Sequence, residues 1–398
     1  MKILIFSAFD PIPSDEVPPL RYANLAKKFL SEGDEVLYVT SSFFHLKGIQ
    51  RHGKTWLNTH DPKNLKTIIL PAPSYPKGAL LSRLLSYGRL AFSLKMWLKT
   101  LKKNDFPDLI LIASPPLLSG YYLSLWAVKN DIPYVLDIQD LWPEEWLRIL
   151  PGAAGRFLLL LWQRIDRHTV VNATGVTSTS ADFLKKRGKA LVNKPSKVFW
   201  IGADTSGFAV PLPPNPIISI VCLGSVLNEE HLINACEALN NRNNIRLIIA
   251  GIGEKTVEIV ALVKKMGWQN ISIISWWNKD DIRENLSKAD LGLVLAAPRS
   301  FMAFPNRAFS YLAAGVPVLS NIKGGELESL IKNHNLGMTI NEAEPASILN
   351  GIDQCIGKFE FDDRKRIQAF AKKELDANTI YQSYYKWLKE IFAANRKK

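Results

Sequence analysis

Short apolar runs alternate with longer amphipathic segments along most of the chain. A first series of predicted strands covers residues 2–7, 35–40, 108–113, 133–138 and 197–201. A second series covers residues 218–224, 245–250, 271–275, 290–295 and 316–319. Apolar strands separated by helices are typical of parallel sheets that are covered on both faces. The pattern therefore predicts an α/β chain with two doubly wound parallel-sheet domains.

The boundary between the two series is a run of turn-forming residues. Between Ala203 and Pro216 the sequence reads ADTSGFAVPLPPNP, which is the composition of a linker. We therefore predict an N-terminal domain over residues 1–205 and a C-terminal domain over residues 206–377, in keeping with a length of 398 residues. Residues 378–398 are predicted to form an amphipathic helix that either finishes the second domain or crosses back onto the first.

One uncharged stretch, from Leu109 to Val128, is long enough to resemble a membrane span. It is interrupted by a Ser-Pro-Pro run at 114–116 and by Gly120, so we predict a short strand followed by a helix. The chain opens directly on a strand-like run with no signal peptide before it, and its three cysteines are spaced as core residues. These features predict a cytoplasmic protein.

The net charge of +13 is unevenly distributed. Residues 1–205 carry 27 Lys and Arg against 17 Asp and Glu, whereas residues 206–398 carry 23 against 20. From Lys47 to Lys103 there are twelve basic residues and a single acid, Asp61. Such a cluster either attracts the phosphates of lipids, nucleic acids or nucleotides, or is a solvated surface that needs no partner.

The segment from Tyr87 to Lys103 places cations opposite an apolar face. The apolar face consists of Leu90, Leu94, Trp97, Leu98 and Leu101. This pattern is typical of an interfacial membrane helix, and equally of a surface helix packed on a core. The surrounding basic excess favours an anionic membrane surface at the inner face of the plasma membrane, and we expect no nucleic-acid partner. The predicted membrane-contact residues are Arg89, Lys95, Trp97 and Lys99.

Candidate binding positions follow the predicted strands, because ligands bind at the C-terminal ends of strands in open parallel sheets. Gly224-Ser225 and Gly251-Ile252-Gly253 follow two strands of the second series. Glycines at these turns let the backbone approach a ligand closely, although a tight turn explains them equally well. Trp277 follows a third strand, where its ring either stacks on a base or packs in the core.

A helix is predicted to start near Pro305 and to end at Gly315. Proline is tolerated in the first turn of a helix, because its missing N–H has no partner there. The N–H groups of Asn306 and Arg307 then form a seat for a diphosphate, and the Arg307 side chain adds a permanent cation. An ordinary capped helix with an exposed arginine would show the same sequence.

Four segments resemble family 4 glycosyltransferases, in the order expected for that family. They are DIQDLWPE, WIGADTSGF, IIAGIGE and FPNRAFSYLAAGVPVLS, and the first is similar to members that assemble bacterial surface polysaccharides such as O-antigen and capsule. The resemblance implies a GT-B fold with two Rossmann-like domains and a donor cleft between them. It also implies a nucleotide-diphosphate sugar donor, retention of anomeric configuration, and no metal or cofactor, since the nucleotide-sugar is a substrate.

The chain departs from the family pattern at several donor-side positions. The two glutamates of the family's E-x7-E motif fall at Met302 and Ser310, and Ser310 offers only a neutral hydrogen bond to a ribose. The Arg and Lys that neutralise the donor diphosphate fall at Ser225 and near position 230. The glycine pair of the first loop is replaced by DEVPP at 15–19.

The remaining candidates for catalysis are charged residues at strand ends. Asp140 and Glu16 are potential proton acceptors, with Asp15 as a rival, and Arg307 would stabilise the departing diphosphate. Glu326 opens a helix where the family has an acid near the donor hydroxyls. The six histidines show no metal-ligand spacing. The resemblance implies a retaining, metal-independent hexosyltransferase acting on a glycan or polyprenyl-linked acceptor. The alternatives are a non-catalytic GT-B subunit that binds a partner or sugar, and another GT-B enzyme such as a sugar epimerase.

Overall fold

The structure is a computed structural model. It describes the chain except residues 13–14, 16–19, 46, 52–56, 61–64, 77–79, 145–151, 214–215, 225–228, 241, 252–255, 275–276, 297–303 and 397–398, and the side chains of 57–60, 229–230 and 279 also lie outside the description. The chain divides into two compact units. The first unit comprises Met1–Trp200 and Tyr381–Lys398, and the second unit comprises Ile201–Ile380.

The first unit is built on an eight-stranded sheet in the order β10-β9-β8-β7-β1-β2-β6-β5. Its strands are parallel except β5, which pairs antiparallel with β6. The strands, with the small β3–β4 ribbon, are β1 Lys2–Phe6, β2 Glu35–Ser41, β3 Phe43–Phe44, β4 Ile49–Gln50, β5 Leu57–His60, β6 Leu65–Leu70, β7 Leu109–Ser114, β8 Tyr134–Ile138, β9 Gly175–Ser178 and β10 Ser196–Val198. All six residues of β7 are buried, as expected for a central strand covered on both faces.

Helices cover both faces of this sheet. They are α1 Arg21–Ser31, α2 Leu80–Leu98, α3 Leu117–Lys129, α4 Ala153–Asn172 and α5 Ala181–Lys186. Short 3₁₀ turns occur at Lys103–Asp105 and Gly188–Leu191. The predicted strand-then-helix reading of the uncharged stretch is confirmed by β7 and α3. Within the described residues, no helix is long and apolar enough to span a bilayer.

The second unit is built on a six-stranded, fully parallel sheet in the order β13-β12-β11-β14-β15-β16. Its strands are β11 Ile218–Leu223, β12 Ile245–Ala250, β13 Ile271–Ile274, β14 Leu291–Val294, β15 Val318–Ser320 and β16 Gly337–Thr339. After a 3₁₀ turn at Thr205–Gly207, its helices are α6 Glu229–Leu239, α7 Thr256–Met266, α8 Lys279–Ser287, α9 Asn306–Ala313, α10 Glu326–His334, α11 Pro345–Lys358 and α12 Phe361–Glu374. The prediction of two parallel-sheet α/β domains is confirmed.

The last helix, α13 (Ala377–Arg396), packs on the first unit from Tyr381 onward. Tyr384 stacks on Phe199 at a centroid distance of 4.2 Å, and the Tyr385 ring meets Phe29 of α1 at 4.9 Å. At its far end, Lys389 donates to Asp34 at 3.0 Å. The apolar face of this amphipathic helix therefore packs on the first unit.

Candidate functional site

The second unit has a topological switch point between β11 and β14. From β11 the chain continues through β12 and β13 on one side, and then returns to place β14 on the other side. In open parallel sheets the crevice for a ligand opens at such a point, outside the carboxyl ends of the two strands. These two strands end at Leu223 and Val294, and Leu295 follows directly after Val294.

Arg307 lies across this switch point. Its Nη1 donates to the carbonyl oxygen of Leu223 at 3.2 Å, and its Nη2 donates to that of Leu295 at 2.8 Å. The Nε donor is buried and has no partner within the described residues. The guanidinium therefore holds a permanent positive charge at the ends of β11 and β14, and these two bonds leave further N–H groups for a ligand.

Helix α9 delivers Arg307 to this position. The helix begins at Asn306, and Pro305 is its N-cap with an extended backbone (φ −65°, ψ 142°), one residue earlier than a first-turn proline. On the inner face, the Tyr311 hydroxyl accepts the N–H of Leu223 at 2.6 Å. The Tyr311 ring lies where a side chain at Gly292 would have to be, since a methyl group there would come within 2.4 Å of the ring. The contacts of Tyr311 thus fix the buried side of α9 against the sheet.

The outer side of α9 presents polar groups. Asn306 is exposed and Ser310 is half-buried, and their spacing of four residues places them on one face of the helix. The first N–H groups of any α-helix lack intrahelical acceptors, so the start of α9 offers donors beside the Arg307 cation. The donor-seat residues predicted from the sequence in this segment are therefore brought together.

The glycines at the neighbouring strand ends permit a close backbone approach. A methyl group on Gly251 would lie 1.6 Å from the carbonyl oxygen of Gly224, so only glycine fits there. Gly224 itself adopts φ +116°, which disfavours other residues. The predicted donor-binding positions Ser225 and Gly253 lie outside the described residues.

Two further residues that were predicted to bind the donor lie in different environments. Glu326 is half-buried in the first turn of α10, directly after β15, as the sequence predicts. Trp277 is buried, with 6% of its surface exposed, so its ring packs within the second unit and does not stack on a base. Asn321 stabilises the same sheet edge by bonding the N–H and C=O of Ala296 at 2.8 and 2.9 Å.

In the first unit, aromatic side chains gather at the C-terminal edge of the sheet. We call this group the aromatic cluster: Phe9, His45, Tyr75 and Tyr87. The His45 and Tyr75 rings stack at 5.5 Å, with 3.0 Å between Nδ1 and the hydroxyl, and Phe9 lies 6.0 Å from His45 and 5.8 Å from Tyr87. Sequence reasoning missed this cluster, because its members come from four separate segments.

Asp140 is close enough to the aromatic cluster for its charge to act on Tyr87. It is exposed just past the end of β8, where the sequence places it. Burial raises the pKa of Tyr87, a side-chain hydrogen bond from Tyr75 and the charge of Arg83 lower it, and the negative charge of Asp140 raises it further. The Arg83 guanidinium lies 5.7 Å from the centre of the Trp142 ring. A carboxylate, a cation and aromatic surfaces thus meet at one edge of the first unit.

The rival carboxylate in the first loop, Asp15, is already bound. Arg51 donates to it through Nε and Nη2 at 2.6–3.1 Å, and both side chains are buried. Asp15 therefore stabilises the loop and does not face a substrate. Glu16, the other predicted base in this loop, lies outside the described residues. No group of three or more His, Cys, Asp or Glu side chains in the described part of the chain forms a metal site.

Asp10 is a buried acid that the sequence did not single out. Its carboxylate accepts the N–H groups of Tyr22 and Ala23 at 2.6 and 3.3 Å, at the start of α1. Burial raises the pKa of Asp10 to about 6, although these hydrogen bonds and Arg21 oppose the shift. The start of α1, which follows the first loop, is therefore occupied by a carboxylate of the chain itself.

The apolar face of α2 that was predicted to contact a membrane is buried in the structure. Trp97 is only 6% exposed, and Leu90, Leu94 and Leu98 are likewise buried, so this apolar face packs inside the first unit. Trp97 is therefore unavailable to lipid. The cations Arg89, Lys95 and Lys99 are exposed, as a surface position requires.

Two comparisons with known sequences each match part of the chain. Residues 208–374 match the family model of glycosyl transferases group 1. An uncharacterized glycosyltransferase of Methanocaldococcus jannaschii is 29% identical over 156 residues, which is 39% of this chain and 37% of the relative. The match thus spans little more than a third of the curated relative's length.

Solved structures resemble the chain over nearly its whole length. The sucrose-phosphate synthase of Thermosynechococcus elongatus superimposes with a TM-score of 0.74 at 14% identity, covering 99% of each chain. Anabaena HepE, solved in complex with UDP-glucose, gives a TM-score of 0.66 at 15% identity, covering 98% of this chain and 100% of that one. Together with the two parallel-sheet domains, these neighbours show that the fold is GT-B.

Proposed function

We propose that this chain, which carries a glycosyl transferases group 1 domain over residues 208–374, is a glycosyltransferase that moves a sugar from a nucleotide-diphosphate sugar to a glycan or polyprenyl-linked acceptor. We propose further that it is a hexosyltransferase that retains anomeric configuration, needs no metal and acts in the cytoplasm in cell-surface polysaccharide biosynthesis. The single observation that carries the proposal is the position of Arg307 across the switch point of the second unit. The UDP-glucose complex of HepE supports the class of donor.

The donor end of the reaction depends on charge stabilisation. Negative charge develops on a departing nucleoside diphosphate, and preorganised cations and N–H groups aimed at that charge lower the barrier. Arg307 and the start of α9 supply both kinds of group at one place. They compensate for two cations that the family has and this chain lacks. At the corresponding positions this chain has Ser225 and, near position 230, acidic residues.

The acceptor end is proposed to lie at the aromatic cluster. The apolar faces of sugar rings pack on aromatic side chains, and their hydroxyls need polar partners nearby. Asp140 supplies a carboxylate beside Tyr87 that can accept the proton of an acceptor hydroxyl. In the other route open to a retaining enzyme, that proton passes to the departing diphosphate, and Asp140 then orients the acceptor.

A panel of nucleotide-sugars tests the proposed function in two steps. A donor present at about 100 times its Kd should stabilise the protein by roughly 2.7 kcal/mol, visible as a raised melting temperature. The same donor should be hydrolysed slowly in the absence of an acceptor. Binding without hydrolysis or transfer would favour a non-catalytic GT-B subunit, an alternative motivated by the missing glutamate pair at Met302 and Ser310. Absence of any shift across the panel would contradict the donor site.

The Ser310→Ala variant tests whether a hydroxyl has replaced the ribose-binding glutamate. A neutral hydrogen bond contributes about 0.5–1.5 kcal/mol, so we expect the donor KM to rise roughly two- to tenfold with an unchanged melting temperature. Ser329→Ala is a matched control, because Ser329 is an exposed helical serine of α10 that bonds only within its own helix. Equal donor kinetics in Ser310→Ala and the parent protein would mean that other groups hold the ribose.

A further inference from the structure

Helices α2, α3 and α4 of the first unit lie side by side, with α3 in the middle. The Lys95 ammonium of α2 sits 5.1 Å from the centre of the Tyr122 ring of α3. On the other side of α3, the Tyr121 ring meets His168 of α4 at 5.1 Å. The solvent-facing sides of these three helices form one continuous surface, which we call the outer face.

The outer face carries large apolar side chains in water. On α2, Leu81 is 78% exposed and Leu85 is 71% exposed, and Phe92 and Met96 continue the same side of the helix. These residues form a second apolar stripe, distinct from the buried one that contains Trp97. On α4, the exposed apolar residues are Phe157, Leu160 and Leu161, at 68%, 61% and 45%. Contiguous exposed apolar groups on this scale are typical of interaction sites.

The charges of the outer face have one sign. Helices α2, α3 and α4 together contain seven cations, which are Arg83, Arg89, Lys95, Lys129, Arg156, Arg164 and Arg167. Their single acid is Asp166, which is buried and paired with Arg187 at 2.8 Å. Exposed leucines and phenylalanines among exposed cations are the pattern of a surface that lies on anionic lipid.

We propose that the outer face docks on an anionic lipid bilayer, with the stripe of α2 and the first turns of α4 inserted among the headgroups. Charge complementarity favours lipid over a second copy of the chain, because two copies would bring like charges together. The inserted stripe of α2 contains Leu81 and Leu85, which flank Arg83 and adjoin Tyr87 of the aromatic cluster. Docking would therefore bring the proposed acceptor site to the headgroup level, and only this last step rests on the proposed function.

Vesicle flotation with the full chain tests the docking directly. We expect binding to vesicles that contain phosphatidylglycerol, no binding to pure phosphatidylcholine, and weakening as salt rises, because the Debye length shrinks to about 8 Å at physiological ionic strength. The Arg89→Glu, Arg156→Glu, Arg164→Glu triple variant should lose at least roughly 100-fold in partitioning, about fivefold for each cation. The Phe157→Ser, Leu160→Ser, Leu161→Ser variant should lose binding at every salt concentration.

Matched controls come from exposed positions of the second unit. Lys264→Glu, Lys265→Glu, Lys372→Glu makes the same charge change, and Val257→Ser, Met266→Ser removes comparably exposed apolar side chains. Both controls should bind vesicles like the parent. The inference is overturned if the parent ignores anionic vesicles at low salt, or if outer-face and control variants bind alike. It is also overturned if sedimentation shows a dimer that the Phe157 triple variant dissociates, since a second copy then covers the face.

Donor hydrolysis without acceptor separates this inference from the proposed function. The outer-face variants should hydrolyse a nucleotide-sugar at the parental rate while losing vesicle binding. A chain that binds vesicles but turns over no nucleotide-sugar would contradict the glycosyltransferase and leave the docking surface standing. A chain that hydrolyses its donor but never binds vesicles would contradict the docking surface alone.

Discussion

The Arg307→Ala variant is expected to bind a nucleoside diphosphate roughly 10- to 150-fold more weakly than the parent protein. A hydrogen bond to a charged group is worth about 1.5–3 kcal/mol, and each 1.4 kcal/mol is about tenfold in Kd. The loss should be large because the family's other donor-side cations are absent from this chain. Calorimetry with UDP and GDP measures the effect for whichever nucleotide binds. Arg307→Lys should recover part of the affinity, since it keeps the charge but not the planar fork.

Arg364, a buried arginine of the same unit, controls for loss of stability. Arg364 also bridges two carbonyl oxygens, those of Leu212 and Ser287, at 3.0 Å each. Arg364→Ala should therefore destabilise the second unit at least as much as Arg307→Ala does, because it also removes the cation 3.6 Å from Asp290, and nucleotide affinity should not change. Parental affinity in a folded Arg307→Ala variant would remove Arg307 from the site.

Asp137→Ala should destabilise the first unit by about 3–5 kcal/mol, because it leaves the buried charge of Arg21 without its partner. Asp137 is fully buried and accepts from Arg21 at 2.7 and 3.1 Å, from the Tyr22 hydroxyl at 2.8 Å and from Thr177 at 2.8 Å. Arg21 would retain the carbonyl oxygens of Phe199 and Trp200 and the Tyr384 ring, whose centre lies 5.0 Å from its guanidinium carbon. Hydrogen exchange of the β7 and β8 amides under native conditions reads the free energy of opening of this unit alone.

Two comparison variants sharpen this test. Tyr384→Phe removes one hydroxyl, which lies 2.6 Å from that of Thr177, and should cost only about 1 kcal/mol. Replacing the pair together, as Arg21→Met with Asp137→Leu, should cost far less than Asp137→Ala, because no unpaired charge remains. A loss below about 1 kcal/mol in Asp137→Ala would mean that water or a neighbour takes over the partner's role.

The sequence predicts the long apolar strands better than the short or partly polar ones. Strands such as β7 and β12 are continuous apolar runs bounded by turns, and a parallel sheet buries such runs on both faces. The missed strands are short or partly polar, and they include β6, which reads LKTIIL, β9, which reads GVTS, and β16, which reads GMT. Their strand conformation comes from pairing with a neighbour, which local pattern does not encode.

The same limit applies to the candidate site. The seat at the start of α9 is local, so its sequence predicts it. The contacts of Arg307 with Leu223 and of Arg51 with Asp15 join distant segments, and only the folded chain shows which cations face a ligand and which are already paired. Helix α2 is the clearest example. It carries two apolar stripes, and the 3.6-residue period cannot tell which one the sheet will cover.

The return of α13 to the first unit has a consequence for biosynthesis. The hydroxyl of Tyr384 reaches Thr177 across 207 residues of sequence, and it belongs to the network that surrounds Asp137. A nascent chain that has emerged through residue 200 therefore lacks the helix that covers part of the core of the first unit. The second unit, Ile201–Ile380, is continuous in sequence and can fold as soon as it leaves the ribosome. Domains usually fold in the order in which they are synthesised. Here we expect the second unit to fold first, because the arginine–aspartate centre of the first unit stays uncovered until α13 has emerged.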